Sequence, residues 1–108
     1  MKANIAIKPI SINKCFQGRR FRTAEFKNWQ EAVFLLLPNE KIKSRDISIG
    51  INIFLKSIVM SDIDNFLKPI IDCIVKKGII EDDRYINELN VKKIKSEEEG
   101  FEVIIKSL

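Results

Sequence analysis

Ile47, Ile49, Ile51, Ile53 and Leu55 occupy every second position of the run ISIGINIFL, with Ser48, Gly50, Asn52 and Phe54 between them. Side chains of a strand point alternately to its two faces, so this run demands a half-buried β-strand whose aliphatic face another element must cover. Helices on either side in sequence can do so. Phe26, Trp29, Val33 and Leu36 recur at helical spacing after Thr23, which can cap the first turn, and before Pro38, which ends the helix. Ile63, Leu67, Ile70, Ile71 and Ile74 share one face of a second helix, which Lys76, Lys77 and Gly78 close as terminal cations and a left-handed cap. Pro69 lies inside that run and removes a backbone donor, so the regular helix either starts late or bends near Asn65.

The remaining segments fill out the order. Residues 3 to 10 alternate weakly, with Ile5 and Ile7 on one face, and Pro9 ends them as an opening strand. Residues 11 to 22, SINKCFQGRRFR, read as a loop. ELNVKKIK and FEVIIKSL read as two strands, and SEEEG between them predicts a hairpin. The order β-α-β-α-β-β predicts an α+β fold with two helices packed on one mixed sheet. With 108 residues, 45% of them hydrophobic, the chain is expected to form a single domain over 1–108 with one modest core.

Composition narrows the chemistry. The chain has no histidine and two cysteines, Cys15 and Cys73. It therefore has no imidazole base and no His-based metal site, and the cysteine spacing fits neither a disulfide framework nor a zinc site. Two buried reduced thiols are expected. A metal would be held mainly by oxygen, which favours Mg²⁺ or Mn²⁺. No apolar stretch approaches the length needed to span a bilayer, and MKANIAIKPISINK lacks the apolar core of a signal peptide, so the expected setting is the cytoplasm.

Although the net charge is +4, six of the fifteen acidic residues lie in SDIDNFLKPIIDCIVKKGIIEDD, residues 61 to 83. Asp62 and Asp64 stand where the second helix begins, as caps and dipole partners or as ligands. Lys68 follows Asp64 at i+4 and Asp72 follows Lys68 at i+4, a spacing that suits a solvated ion-pair ladder. Asp82 and Asp83 sit in the loop beyond. Two acidic groups at opposite ends of one helix meet only if that loop folds back. If they meet they repel, and a divalent cation reverses the cost. An Asp-x-Asp with a distant Asp and a nearby lysine suits metal-assisted phosphoryl chemistry.

The cations are grouped elsewhere. Lys14, Arg19, Arg20 and Arg22 share the loop 11 to 22 with Phe16 and Phe21, and Lys92, Lys93 and Lys95 crowd one strand. Either group can be solvated surface. Either can also grip phosphates, with the phenylalanines available to stack on bases.

DIDNFLK, a following helix with Asp72, and then KKGIIEDD together resemble the signature of the RusA-type Holliday junction resolvases. The resemblance falls on Asp62, Asp64, Asn65, Lys68, Asp72, Gly78, Asp82 and Asp83, with Phe66 where the family has Leu. Upstream, Pro9, Ser11, Asn13 and RRFRTAEFKNW are similar to the family's first loop and helix start, and Lys93 resembles a family lysine after the acidic pair. Many relatives carry several basic residues just before Asp-x-Asp, where this chain has Lys56 and SIVMS. The resemblance implies a RusA-like fold and a Mg²⁺-dependent homodimer that cleaves four-way DNA junctions in recombination and repair. It implies Asp62, Asp64 and Asp83 as metal-binding catalytic carboxylates and Lys68 as an aid at the scissile phosphate. Asp72 and Asp82 would take supporting roles, and Lys14, Arg19, Arg20, Arg22 and Lys93 would contact DNA. A nuclease for flaps or forks, and a non-catalytic nucleic-acid-binding module, are the alternatives.

Overall fold

The computed structural model describes residues 1–18 and 21–108. In chain order its elements are β1 (Lys2–Ile5), a 3-10 turn (Ile12–Lys14), β2 (Phe16–Gln17), β3 (Phe21–Arg22), α1 (Ala24–Leu36) and β4 (Ile47–Leu55). A second 3-10 turn (Ile63–Phe66) leads into α2 (Leu67–Lys77), and a third (Asp83–Tyr85) precedes β5 (Ile86–Lys95) and β6 (Gly100–Ser107). The fold is α+β, with two helices and one mixed four-stranded sheet in the order β1-β6-β4-β5.

β4 has the bounds its alternation predicts, and its five aliphatic side chains are buried while the four between them are half-buried. The helices supply the rest of that core. Phe26, Trp29 and Val33 of α1 and Ile70, Cys73 and Ile74 of α2 join the β4 isoleucines, Phe101, Val103 and Ile105 in one cluster. Each large aliphatic side chain buried there contributes about 1.5–3 kcal/mol of transfer free energy.

Thr23 caps α1 as expected, its Oγ1 accepting from the Phe26 amide at 3.1 Å. The apolar stripe ends one residue later than the spacing predicts. Leu36 is exposed and Leu37 is buried, because the backbone turns extended at Leu37 ahead of Pro38 and redirects the side chain. The conflict at Pro69 resolves as a late start. Ile63–Phe66 is a 3-10 turn, and Pro69 is the third residue of α2, where no intrahelical donor is required. Phe66 thereby takes the buried place expected of Ile63, which stays exposed. Gly78 closes α2 in the left-handed region at φ 83°.

Three further expectations are corrected. The opening strand is shorter than residues 3 to 10, ending at Ile5. The last two strands do not form a hairpin: β5 pairs in parallel with β4, β6 pairs antiparallel with the opposite edge of β4, and residues 96–99 cross the end of β4. Side-chain character explains the separation. Phe101, Val103 and Ile105 are fully buried and need an interior strand, whereas β5 carries Glu88, Lys92 and Lys95 and suits an edge. The β4–α2–β5 crossover fixes where the acidic segment lies, because it carries the chain from one end of β4 through residues 61 to 83 to the start of β5. Residues 11 to 22, expected to be loop, hold the first 3-10 turn and the short β2–β3 pairing, Phe16 opposite Arg22 and Gln17 opposite Phe21. Among the described residues no helix is long and apolar enough to cross a membrane.

Candidate active site

Asp62 heads the 3-10 turn before α2 with extended backbone, and its side chain makes no capping bond, so the capping alternative is not taken and the carboxylate has no partner among the described residues. Its carbonyl closes the turn by accepting from the Asn65 amide at 3.1 Å. Asp64 is exposed one step into the same turn. The 3-10 geometry thus presents both acids of the Asp-x-Asp on the surface while Phe66 anchors the turn in the core.

Lys68, one turn further on, links Asp72 of α2 to Asp83 in the loop beyond the helix. Its ammonium lies 2.9 Å from Asp72 Oδ1 and 3.5 Å from Asp83 Oδ2. The loop after Gly78 therefore does return, with Ile79 and Ile80 buried to hold it. The hydrogen bond to Asp72, aided by both carboxylate charges, pushes the Lys68 ammonium above its usual range. Asp82 acts locally. Its carboxylate accepts from the Arg84 amide at 3.0 Å and pairs with the Arg84 guanidinium at 3.4 Å, and the amide bond leads the causes holding its pKa below the usual range.

Chemically, exposed carboxylates with no imidazole or accessible thiol fit a hard divalent cation. Both thiols are buried and free, and burial foremost pushes each up to about 11. Among the described residues no three Asp, Glu or Cys side chains stand close enough to hold one ion, so Asp62, Asp64 and Asp83 do not form a closed cage. A positive charge already lies between Asp72 and Asp83, in the form of the Lys68 ammonium. A cleft of about 310 Å³ lined by Lys68, Asp83, Ile71, Ile86 and Leu89 opens beside these groups. A larger cleft of about 610 Å³, lined by Trp29, Phe66, Leu55, Lys14 and Lys56 among others, reaches Ser61 but includes none of the aspartates. The smaller one holds Lys68 and Asp83, and Asp62 and Asp64 are among the described lining residues of neither.

The basic residues are dispersed. Lys14 is exposed and lines the larger cleft, while the Arg22 guanidinium donates to Gln30 Oε1 at 2.7 Å and is otherwise exposed. Arg19 and Arg20 lie outside the described residues. The Lys93 ammonium donates to the carbonyl oxygens of Ile58 and Ser61, both at 2.6 Å, across the loop that leads to Asp62.

Sequence reasoning missed one cluster. The Tyr85 ring lies between Arg84, at 5.2 Å from its centroid, and Arg45, at 5.5 Å, directly after Asp83. The run EDDRY signals half of it. Arg45 is forty residues away and arrives only because β4 and β5 start side by side. Val59 and Met60, 85% and 79% exposed, form an apolar tip on the loop before Asp62.

Comparison with known proteins matches the sequence to a family. The family model described as Endodeoxyribonuclease RusA matches residues 11–106. The chain is 38% identical over 93 residues to the crossover junction endodeoxyribonuclease RusA of Aquifex aeolicus (strain VF5), covering 82% of this chain and 72% of that protein.

Proposed function

The chain belongs to the RusA family of endodeoxyribonucleases, and from that premise we propose that it resolves four-way DNA junctions by paired phosphodiester hydrolysis with Mg²⁺, or with Mn²⁺ in its place. Residues 1–108 act as one endonuclease domain, as a homodimer, in cytoplasmic recombination and repair. The observation that carries the reading is the Lys68 ammonium held between Asp72 and Asp83 beside a surface turn that presents Asp62 and Asp64.

Asp62, Asp64 and Asp83 would hold the cation. When bound, it would supply Lewis-acid stabilisation of the phosphoryl oxygens and a water acidic enough to react near neutral pH. Lys68 stays protonated at that pH and places a fixed positive charge where the phosphate gains negative charge. Asp72 keeps the Lys68 side chain aimed along α2 toward Asp83. Lys14, Arg19, Arg20 and Arg22 draw in the DNA backbone without reading sequence, which suits recognition of shape. A junction has two equivalent strands to cut, so a two-fold dimer offers one site to each.

The test is incubation with labelled four-way, forked and linear duplex DNA, with and without Mg²⁺, alongside sedimentation at the assay concentration. Paired, Mg²⁺-dependent nicks on the four-way junction by a dimer support the reading. Cleavage confined to forks or flaps would move the substrate, and binding without cleavage in any metal would make the chain a DNA-binding module.

A further inference from the structure

The bonds of Lys93 point away from simple phosphate attraction. Its ammonium makes two 2.6 Å hydrogen bonds, to the carbonyls of Ile58 and Ser61, and Ser61 is bonded covalently to Asp62. The loop these carbonyls belong to is poor in other support: Ile58, Val59 and Met60 are all exposed, so apolar packing does little to fix it. Lys93 itself stands on β5 opposite Ile53, a fully buried residue of β4, and is therefore mounted on the hydrogen-bonded sheet.

We propose that Lys93 is a positioning residue: it clamps the 58–61 loop to the sheet and so holds Asp62 where a divalent cation is to be bound. This rests on the nuclease reading above. Bonds from a charged donor to two carbonyls three residues apart fix both position and direction of the backbone, which an apolar loop tip cannot do for itself. A ligand whose support is lost remains present but loosely aimed, and loss of such supporting groups commonly costs roughly 10- to 100-fold in metal affinity. Lys93 thus acts through Asp62 and not through the substrate.

The experiment compares the unchanged protein with Lys93→Met, Asp62→Asn and a surface control, Lys106→Met. Methionine keeps the stem of Lys93 and removes the ammonium. Three quantities are read: amide hydrogen exchange of residues 57–62 without metal or DNA, the salt dependence of metal-free junction binding, and the Mg²⁺ concentration for half-maximal cleavage. The clamp predicts faster exchange in that segment for Lys93→Met, a Mg²⁺ midpoint raised roughly 10- to 100-fold, and an unaltered salt slope. Lys106→Met matches the unchanged protein in all three. A salt slope reduced by about 0.9 with exchange and Mg²⁺ midpoint unchanged would make Lys93 a phosphate contact and overturn the proposal. Unchanged exchange overturns the clamp whatever the activity. Normal cleavage by Asp62→Asn would take Asp62 out of the metal ligands and overturn the proposal, whereas no cleavage by the unchanged protein in any metal would fell the nuclease reading while the exchange measurement still decides the clamp.

Discussion

Replacing Lys68 by methionine separates the stability contribution of the site from its chemistry. The Lys68 side chain is 59% exposed and contacts Asp72 at 2.9 Å and Asp83 at 3.5 Å. At those distances in a water-like dielectric each contact has a Coulomb energy of only about 1–1.5 kcal/mol, and solvent-exposed pairs retain about 0.2–1 kcal/mol after side-chain ordering. The variant should therefore lose about 1 kcal/mol of stability, lowering Tm by roughly 4–8 °C for a domain of this size. Cleavage has more at stake. Removing a fixed positive charge from a developing phosphoryl charge costs roughly 10²–10³ in rate, which single-turnover cleavage of a four-way junction at saturating protein reads directly. The pH dependence carries a sign. Asp72 raises the Lys68 pKa in the fold, so its contribution is complete below the unfolded lysine pKa and is lost only as pH climbs through the still higher folded value. No rate loss between pH 7 and 9 should trace to Lys68. A folded Lys68→Met protein cutting at nearly the normal rate would refute the argument, and a collapse of the fold would show that the ammonium is structural.

Three other outcomes follow from the same geometry. Gly100→Ala places a Cβ 2.6 Å from the Ile5 carbonyl oxygen, a backbone atom that cannot swing aside, so β1 must shift at a cost of about 1–3 kcal/mol; an unchanged urea midpoint would contradict this. Cys15 and Cys73, with thiols pushed from 9.0 to about 11, favour the fold as neutral groups, so their stability contribution is whole below pH 9 and declines toward pH 11, by about 1 kcal/mol per thiol at pH 10. Urea unfolding at pH 8 and 10 of the unchanged protein and a Cys15→Ala/Cys73→Ala variant tests it, and equal pH slopes would refute it. Lys14→Ala and Arg22→Ala should each lower the log–log salt slope of junction binding by roughly 0.9 in magnitude, and unaltered slopes would make them ordinary surface.

Where the sequence spoke through local periodicity, it spoke clearly. The bounds of β4, the Thr23 cap and the Gly78 stop are each written in neighbouring residues. Pairing is a different matter, because alternation fixes which face a residue occupies and not which strand lies beside it. Two strands four residues apart look like a hairpin until the β4–α2–β5 crossover takes one edge of β4 for β5 and leaves the other to β6. The site was legible to a similar depth. DIDNFLK and EDD could be read along the chain, and the Lys68–Asp72 contact follows from helical spacing. The Lys68–Asp83 contact depends on the loop fold, and Arg45 beside Tyr85 on strand adjacency. Lys93 was legible as a cation. That its charge faces two backbone carbonyls depends on the path of the 58–61 loop, whose apolar residues carry no periodic signal.

The central claim is that the carboxylates around α2 hold a cation for cleavage of branched DNA, and Asp64→Asn tests it most directly. Asparagine keeps the size of the side chain and removes the charge that a hard cation requires. On one preparation, junction cleavage in Mg²⁺, metal-free junction binding and thermal melting are measured together. The account predicts cleavage reduced by at least roughly 100-fold, the upper end of what even supporting groups around a metal contribute. It predicts binding that holds or tightens, since one negative charge facing the phosphates is gone, and stability altered by at most about 1 kcal/mol. Near-normal cleavage by the folded Asp64→Asn protein would contradict it.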